Sequence, residues 1–471
     1  MSSFAGLQLA QRGLNAAQQA LLITGQNISN VSTPGYTRQR VEQSAVAPTA
    51  ATWGSVASSV GSGVTVTGIS RLGDALLDTG VRTSAAAAGY ADVRATTYSS
   101  LEDAYGEPGT TAISGRLSAF WSSWGDLANN PDEPGAGVAV LQAGQDLGAA
   151  LATARTAVTG QWQDRRAQVD TMTSQVNATA TRLADLNRAI TSTTAAGGNA
   201  SELMDERSRL AENLASTAGA TARIESDGGM TVRLNGTWLV SGTSARTLTV
   251  TGPTDPSATG TVGVAWQDAP GTPVALTGGR LAATLGVLAP ADGRGTGGAI
   301  AEAAATLDGL ATTVADAVNT AHRAGTTSTG APAGDFFTLA PGRPAAAGLT
   351  VALTDPAGLA TGAAGRGPLS GAGADAVARV GTGAGSPDRR WATAVATVGA
   401  AARSATGQQT ITAASADAAR AAQTSSSSVS LDEENITLLA AQHAYQAAAR
   451  VLTTIDQTLD TLINRTGTVG L

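Results

Sequence analysis

The 471-residue sequence contains no cysteine and no lysine. Without cysteine there can be no disulfide and no thiolate metal site. Acidic residues (36) outnumber basic ones (29), which gives a net charge of −7, and every basic residue is an arginine. Because the chain has no basic cluster, it is poorly suited to nucleic acid or to an anionic membrane surface. We therefore expect neither as a partner.

Aromatic residues make up only 3% of the chain, whereas glycine occurs 57 times. No apolar run approaches the roughly 18 residues that a membrane-spanning helix needs. The first residues, MSSFAGLQLAQRGLNAAQQALLITG, lack the basic segment and the continuous apolar core of a secretory signal peptide. We therefore expect no cleaved signal peptide. The many small residues favour close contacts between protein surfaces over deep ligand pockets.

Catalytic motifs are also missing: no H-E-x-x-H, G-x-S-x-G or phosphate-binding glycine loop occurs. The two histidines, His322 and His443, have no supporting motif, so we expect structural roles for both. Asp432, Glu433 and Glu434 share one first helical turn, where helix capping is favoured over metal binding. The sequence predicts no enzyme activity, no cofactor, and no catalytic or metal-binding residues.

An apolar residue recurs every seven positions in the first segment: Leu7, Leu14, Leu21 and Ile28. Small residues follow three positions later in each heptad, which predicts a coiled-coil-like helix. Arg12 is the only charged residue between Ser2 and Thr37, and the outer face carries amides. Pro-Gly in NISNVSTPGY predicts that the helix stops near Ser32. The residues of this helix-ending turn are Asn30, Thr33, Pro34, Gly35 and Tyr36.

The other end of the chain repeats this pattern. The predicted seam of this second helix consists of Leu431, Leu438, Tyr445, Leu452, Ile455, Leu459 and Leu462. Ser430 and Glu433 form a capping-box pattern at its start. Each of these two helices has one apolar face, and the simplest way to bury both faces is to pack the two helices against each other. The sequence therefore predicts a terminal coiled-coil-like domain formed by 1–45 plus 428–471.

The intervening residues predict an α+β, mainly α protein: a discontinuous multidomain rod with a long-helix bundle and inserted β-rich side domains. We expect the helical rod domain to comprise 46–225 plus 290–325 plus 391–427. Residues 226–289 alternate like strands around an Asn235-Gly236 hairpin turn, which predicts a β-rich insertion. Residues 326–390 are rich in glycine and alanine, which predicts a second insertion or a mobile loop.

The two ends together resemble the rod and hook axial proteins of the bacterial flagellum. NISNVSTPGYTRQRV and AYQAAARVLTTIDQTLDTLIN carry this resemblance. Several interior segments resemble the hook-associated members, which join hook to filament: YSSLEDAYGEP (98–108), FWSSWGDLANNPDEP (120–134), ELMDERSRLAENL (202–214), GDFF (334–337) and SLDEENITLL (430–439). The resemblance implies a structural component of the hook–filament junction that transmits torque and provides the platform for filament assembly.

The resemblance also implies the partners and the location. These would be the hook protein, a second junction protein toward the filament, further copies in a ring, and a cytoplasmic flagellar export chaperone at the C-terminal helix. The protein would be exported from the cytoplasm by the type III route and reside extracellularly in the flagellum. The seam residues of both terminal helices would form the subunit interface, and the amide face would line the channel or contact neighbours.

Three alternatives to a junction protein remain open from the sequence. A hook or distal-rod protein of the same family would polymerise into long tubes. An extracellular coiled-coil scaffold or adhesin would form a stable oligomer through its termini. An enzyme would need a pocket with convergent titratable groups.

Overall fold

The computed structural model describes residues 3–47 and 63–465, and over these residues the protein is mainly α-helical with small β-sheets. The helices are α1 (Ser3–Ser29), α2 (Ala75–Tyr105), α3 (Ile113–Asn129), α4 (Pro134–Ala195), α5 (Ser201–Ala218), α6 (Gly279–Val287), α7 (Ala299–Arg323), α8 (Ala345–Gly348), α9 (Ala372–Ala378), α10 (Pro387–Ser427) and α11 (Leu431–Asp460). A π-helical turn, Thr461–Arg465, continues α11. Within the described ranges, no helix combines the length and the apolar character needed to cross a bilayer.

The strands are short and form separate antiparallel sheets. They are β1 (Gln39–Ala45), β2 (Val64–Arg71), β3 (Thr221–Ile224), β4 (Met230–Leu234), β5 (Thr237–Ser241), β6 (Ser244–Ala245), β7 (Leu248–Thr251), β8 (Gly263–Trp266), β9 (Ala269–Pro273), β10 (Gly325–Thr326), β11 (Phe337–Leu339), β12 (Leu349–Val351) and β13 (Gly362–Ala363). β3–β6 form one sheet and β7–β9 another, while β1 pairs with β2, β10 with β13, and β11 with β12.

The long helices form the body of the molecule. α4 has 62 residues, which corresponds to about 93 Å of helix. It packs against α3, α5 and α7, while α2 packs along α10. One apolar core runs through this bundle and includes Leu117, Trp124, Leu147 and Val158, all with no exposed surface. The body is therefore a bundle of long helices held by one core.

The β-rich part is attached to one side of α4. The hairpin between β4 and β5 turns at Asn235-Gly236, where both residues have positive φ, 44° and 87°. This is the turn that the sequence predicts. Asn187 of α4 anchors the sheet, because its Nδ2 donates to the carbonyls of Met230 and Gly242. Helix α6 also falls within the predicted insertion, and it packs against α2 and α5.

Residues 325–382 contain short strands and helices that pack on the helical body. Phe336 and Phe337 have almost no exposed surface, and both rings lie 5.5 Å from the ring of Phe120 on α3. The side-chain amide of Asn319 on α7 donates to the carbonyl of Phe337. This segment therefore shares the main core.

The two terminal helices pack against each other in antiparallel orientation. An ideal Cβ on Gly6 would lie 3.1 Å from Ile455 Cδ1, and one on Gly13 would lie 3.8 Å from Ala448 Cβ. A step of seven residues toward the C-terminus in α1 thus matches a step of seven residues toward the N-terminus in α11, as antiparallel packing requires. We call the pair α1 and α11 the terminal hairpin. The predicted pairing of the two ends of the chain is present, and the β1–β2 ribbon packs against α1.

Candidate axial interface

The terminal hairpin covers its small heptad residues more completely than its large ones. Four small residues, each three positions after a heptad leucine, are buried: Ala10, Ala17 and Thr24 on α1 and Ala441 on α11. The predicted seam residues that are half-buried are Leu7, Leu14, Leu21, Ile28, Leu438, Leu452, Ile455 and Leu459. Leu431, Tyr445 and Leu462 are exposed. Two helices alone therefore bring most of the predicted seam together but do not enclose it.

Further apolar side chains that the heptad analysis did not predict are exposed on the hairpin. Leu22 is 65% exposed, Ile436 is 69% exposed and Leu439 is 55% exposed. Ile436 and Leu439 are three residues apart, so they share a face of α11. The signal was present in the sequence as the doublets Leu21-Leu22 and Leu438-Leu439. Monomeric soluble proteins seldom leave several large apolar side chains exposed on one element, so this surface indicates an interaction site.

The remaining exposed surface of α1 is polar but uncharged over most of its length. The amide residues Gln8, Gln11, Asn15, Gln18 and Gln19 are all exposed. An uncharged amide face can form hydrogen bonds with a neighbouring protein surface without the cost of burying a charge. The hairpin thus presents apolar stripes and an amide face.

The predicted helix-ending turn begins three residues earlier than the sequence predicts, since α1 ends at Ser29 rather than near Ser32. The reason is local: the Asn30 side chain donates to the Gln26 carbonyl at 3.0 Å. Thr33 to Tyr36 then form a β-turn in which Tyr36 N donates to the Thr33 carbonyl at 3.2 Å. Proline and a glycine with φ of +80° occupy its central positions, as a type II turn requires.

Asn27 organises a buried polar cluster at the base of the hairpin. Its side chain is 1% exposed. Nδ2 donates to the carbonyl of Gln39 at 2.9 Å and to Glu434 Oε2 at 3.1 Å. Oδ1 accepts from Gln39 N at 3.0 Å and from the Tyr36 hydroxyl at 2.8 Å. All four hydrogen-bonding positions of this amide are therefore used.

Glu434 connects α11 to the same cluster. It is 2% exposed, and its Oε1 accepts from Arg38 Nε at 2.7 Å. Glu433 binds the other side of the same guanidinium, with 2.7 Å between Arg38 Nη1 and Glu433 Oε2. The expected cap is present, because Ser430 Oγ accepts from Glu433 N at 3.4 Å. Two of these acids have a further role that the sequence did not indicate, because Glu433 and Glu434 also bind Arg38, which lies 395 and 396 residues earlier in the chain.

Asp205 of α5 ties the cluster to the helical body. Its Oδ2 accepts from Thr37 N at 3.1 Å, and its Oδ1 accepts from Arg71 Nε at 2.5 Å. Burial, followed by the charges of Asp205, Glu202 and Glu434, raises the pKa of Tyr36 to about 12, so the hydroxyl stays a donor at neutral pH. We call this cluster the basal network; its members are Asn27, Tyr36, Arg38, Gln39, Arg71, Asp205 and Glu434. It fixes the hairpin to the body.

The two histidines differ in environment. His322 is fully buried; its Nδ1 lies 2.8 Å from the Gly334 carbonyl, and Ala360 N donates to its Nε2 at 3.0 Å. These contacts fix the neutral tautomer with the proton on Nδ1, and burial lowers the pKa of the ring. His443 is exposed on α11. Among the described residues, no group of three or more His, Asp or Glu side chains could hold a metal ion.

The comparison with family models gives three matches. The model described as "Flagellar hook-associated protein FlgK helical domain" matches residues 98–337, which is 240 of the 471 residues. The model "Flagella basal body rod protein" matches residues 7–37. The model "Flagellar basal body rod FlgEFG protein C-terminal" matches residues 422–465. The last two matches cover most of the terminal hairpin.

Curated relatives agree with the family match. The "Flagellar hook-associated protein 1" of Bacillus subtilis is 29% identical over 515 residues, covering 100% of this chain and 99% of the relative. The protein of that name from Escherichia coli is 28% identical over 341 residues, covering 71% of this chain and 60% of the relative. That of Salmonella typhimurium is 29% identical over 335 residues, covering 70% and 58%. The chain thus spans about three fifths of the two enterobacterial relatives.

A solved structure, the flagellar hook junction protein FlgK from Burkholderia pseudomallei, is similar with a TM-score of 0.46 at 22% identity. The similarity covers 55% of this chain and 46% of that one. The family model, which matches more than half of the sequence, decides the assignment, and it confirms the resemblance carried by the interior segments. The chain belongs to the flagellar hook-associated protein FlgK family.

Proposed function

We propose that this chain, a structural component of the flagellar hook–filament junction, transmits torque and forms the platform for filament assembly through its terminal hairpin. The observation that carries the proposal is that the hairpin pairs both ends of the chain and still exposes large apolar side chains. Burying one such side chain contributes about 1.5–3 kcal/mol. Repeated around an assembly, these contacts would supply the affinity without a ligand or a catalytic group.

We assign the interface role to the seam of the hairpin, on the side that the partner helix leaves uncovered. The proposed subunit contacts are Leu7, Leu14, Leu21, Ile28, Leu431, Leu438, Tyr445, Leu452, Ile455, Leu459 and Leu462, to which the structure adds Leu22, Ile436 and Leu439. The turn formed by Asn30, Thr33, Pro34, Gly35 and Tyr36 would redirect the chain from the axial hairpin to the body. The basal network would transmit mechanical load between the terminal hairpin and the helical body.

The partners follow from the same proposal. The hairpin would contact further copies of this chain in a ring, the hook protein on one side and a second junction protein on the filament side. Before assembly, a cytoplasmic flagellar export chaperone would cover α11, and the protein would leave the cytoplasm by the flagellar type III route to become part of the extracellular flagellum. The role is mechanical, with no catalytic step.

We also propose a division of labour along the chain. Residues 1–45 plus 428–471 would form the axial domain, and 46–225 plus 290–325 plus 391–427 the helical rod. Residues 226–289 and 326–390 would form the outer parts. The pairing of α1 with α11 supports the axial domain, and the separate sheets β3–β6 and β7–β9 support the outer parts.

Deletion of the coding sequence, followed by electron microscopy, tests the proposal. We expect hooks that end without filaments and flagellin released into the medium. Missing hooks would instead favour the hook or distal-rod alternative, and normal filaments would favour the scaffold or adhesin alternative.

Complementation tests the role of the hairpin itself. The double variant Ile436→Asp, Leu439→Asp should fail to restore filaments, because it places charge on the exposed apolar face. The matched control, Thr437→Asp, changes an exposed polar residue in the same turn and should restore them. Restoration by the double variant would contradict the assignment of this face to subunit contacts.

A further inference from the structure

The hairpin between β4 and β5 carries the single Asn-Gly pair of the sequence at its tip. Asn235 and Gly236 alone form the turn, since β4 ends at Leu234 and β5 begins at Thr237. Both turn residues are exposed, and asparagine is among the chemically labile residue types that heat-stable proteins use sparingly. The pair that suits the turn thus also places a side-chain amide directly before a residue that has no Cβ.

The side-chain amide of Asn235 has no hydrogen-bond partner among the described residues. Other asparagine amides of the body are held in place: Nδ2 of Asn187 donates to the Met230 carbonyl, and Nδ2 of Asn319 donates to the Phe337 carbonyl. Such bonds fix the amide and limit the approach of its carbon to other groups. Neither burial nor a hydrogen bond therefore protects Cγ of Asn235 from attack.

The backbone nitrogen of Gly236 is the group that can attack this carbon. Its N–H donates to no described residue, whereas the Gly236 carbonyl accepts from Arg233 Nη1 at 3.1 Å. An added Cβ at Gly236 would meet nothing within 4 Å, so solvent and base reach the nitrogen from an open side. Because glycine has no side chain, nothing at this residue hinders closure of a ring between its nitrogen and Asn235 Cγ.

We propose that Asn235 is a site of spontaneous deamidation, which converts its amide through a cyclic imide into aspartate and isoaspartate. The Gly236 nitrogen gives its proton to a base and attacks Asn235 Cγ. The N–Cγ bond forms, the Cγ–Nδ2 bond breaks, and the departing nitrogen takes up the proton and leaves as ammonia. Water then opens the ring: attack at Cγ gives aspartate, and attack at the backbone carbonyl carbon gives isoaspartate, whose main chain runs through Cβ and Cγ. Overall, one water is consumed and one ammonia is released.

Ring closure requires the Asn235 backbone to rotate out of the folded turn. The turn closes on the Leu234–Thr237 pair at the free end of the hairpin. Exposed tips of this kind open locally at a small fraction of the free energy of global unfolding. The buried side chains of Val232 and Leu239 hold the rest of the two strands in place. The reaction therefore proceeds in the folded protein, during openings of the turn alone.

The two products differ in their effect on the hairpin. Aspartate keeps the turn, because Asp-Gly also favours it, and adds a negative charge beside Arg233. The net charge of the chain then changes from −7 to −8. Isoaspartate adds a main-chain carbon to a loop that fits two residues, which displaces the closing pair Leu234–Thr237. The modification thus marks the tip of the β-rich insertion with charge and, in one product, loosens it.

Incubation of the purified full chain at mildly alkaline pH, followed by peptide mapping, tests this inference. We expect the peptide that contains Asn235 to gain the mass of oxygen exchanged for NH, and electron-transfer fragmentation to find both aspartate and isoaspartate. In water enriched in heavy oxygen, each product should carry a single label. The internal control is Asn199, an exposed loop asparagine that precedes alanine and whose Nδ2 donates to Gln39 Oε1 at 2.9 Å. It should keep its amide while Asn235 reacts.

Variants link the change in charge to this one residue. Asn235→Gly removes the amide and keeps a pair that suits the turn, so the chain should no longer become more acidic with time on anion exchange. Asn235→Asp should elute from the start with the aspartate product of the natural chain. An intact Asn235 amide after Asn199 has reacted would overturn the proposal. Aspartate formed without any isoaspartate would also overturn it, because direct hydrolysis and not a cyclic imide would then be the route.

Discussion

Glu434 offers the sharpest test of how the terminal hairpin is fixed to the body. Its buried carboxylate accepts from both Arg38 Nε and Asn27 Nδ2, so it joins α11 to α1 and to the residue that precedes β1. Glu434→Ala removes the acceptor and leaves a guanidinium and an amide partly unpaired. The neighbouring Glu433 binds the same arginine from an exposed position, which makes Glu433→Ala the matched control.

The expected cost follows from the burial of the partners. Removing one member of a fully buried ion pair costs about 3–5 kcal/mol. Arg38 keeps 25% of its side-chain surface exposed and keeps Glu433 as a partner, so a cost of about 2–3 kcal/mol is expected. Glu433 is 63% exposed on its side chain, and an exposed pair contributes about 0.2–1 kcal/mol. Both acids lie in the first turn of α11, so the helix-dipole contribution is common to both variants.

Amide hydrogen exchange of the isolated chain measures this difference directly. Where exchange reports a local opening equilibrium, 2–3 kcal/mol corresponds to an increase of about 30- to 150-fold in the opening of α11 and α1. Glu433→Ala should increase the opening of α11 and α1 less than about fivefold, and neither variant should change the exchange rates of α4. Equal effects of the two variants would refute the role of the buried carboxylate, as would a uniform increase that includes α4.

Three further predictions address other residues. The pKa of Tyr36 is about 12 in the folded chain against 10.0 in the unfolded chain, so the unfolded chain loses this proton first as the pH rises. The free energy of unfolding should therefore fall as the pH rises from about 10 to about 12. Tyr36→Phe should make this fall smaller in urea denaturation. Burial lowers the pKa of His322, so the free energy of unfolding should fall as the pH drops below about 6.5, and His322→Gln should reduce this dependence. Leu452→Ala should weaken the assembled junction by about 2–5 kcal/mol per subunit if assembly buries the side chain, which filament shedding under shear would measure against Thr453→Ala. Unchanged shedding would argue against burial there.

Local sequence signals predicted most of the elements. The turn at Asn235-Gly236, the capping serine Ser430 and the heptads of both ends are each encoded within a few residues. The mainly α fold with β insertions is confirmed, because periodicity and turn residues act locally. The end of α1 was predicted three residues late, since the side-chain bond of Asn30 to Gln26 depends on geometry that periodicity does not report.

The basal network could not be predicted from the sequence. Asn27, Asp205 and Glu434 are separated by more than 170 residues each, and no periodic pattern links them. Heptad analysis also treats every apolar seam position alike. The structure separates them: small residues such as Ala10 and Ala17 are enclosed where the helices approach closely, while the larger leucines extend to the edges of a two-helix pair. Which side chains remain for neighbouring subunits is thus a property of the pairing geometry.

The most direct test of the account is a disulfide between the two ends of the chain within the assembled flagellum. The Cβ positions of Gly13→Cys and Ala448→Cys would lie 3.8 Å apart, close to the mean of about 3.8 Å in disulfides, and the chain has no other cysteine. Gly25→Cys with Ala448→Cys is the control, because a Cβ at position 25 meets nothing within 4 Å. We predict that the first pair, in isolated hook–filament preparations, oxidises within one chain: the protein runs at monomer mass on a non-reducing gel and no longer reacts with a thiol-alkylating reagent. A chain that stays reduced, or a cross-linked dimer, would contradict the pairing of both termini as one axial unit.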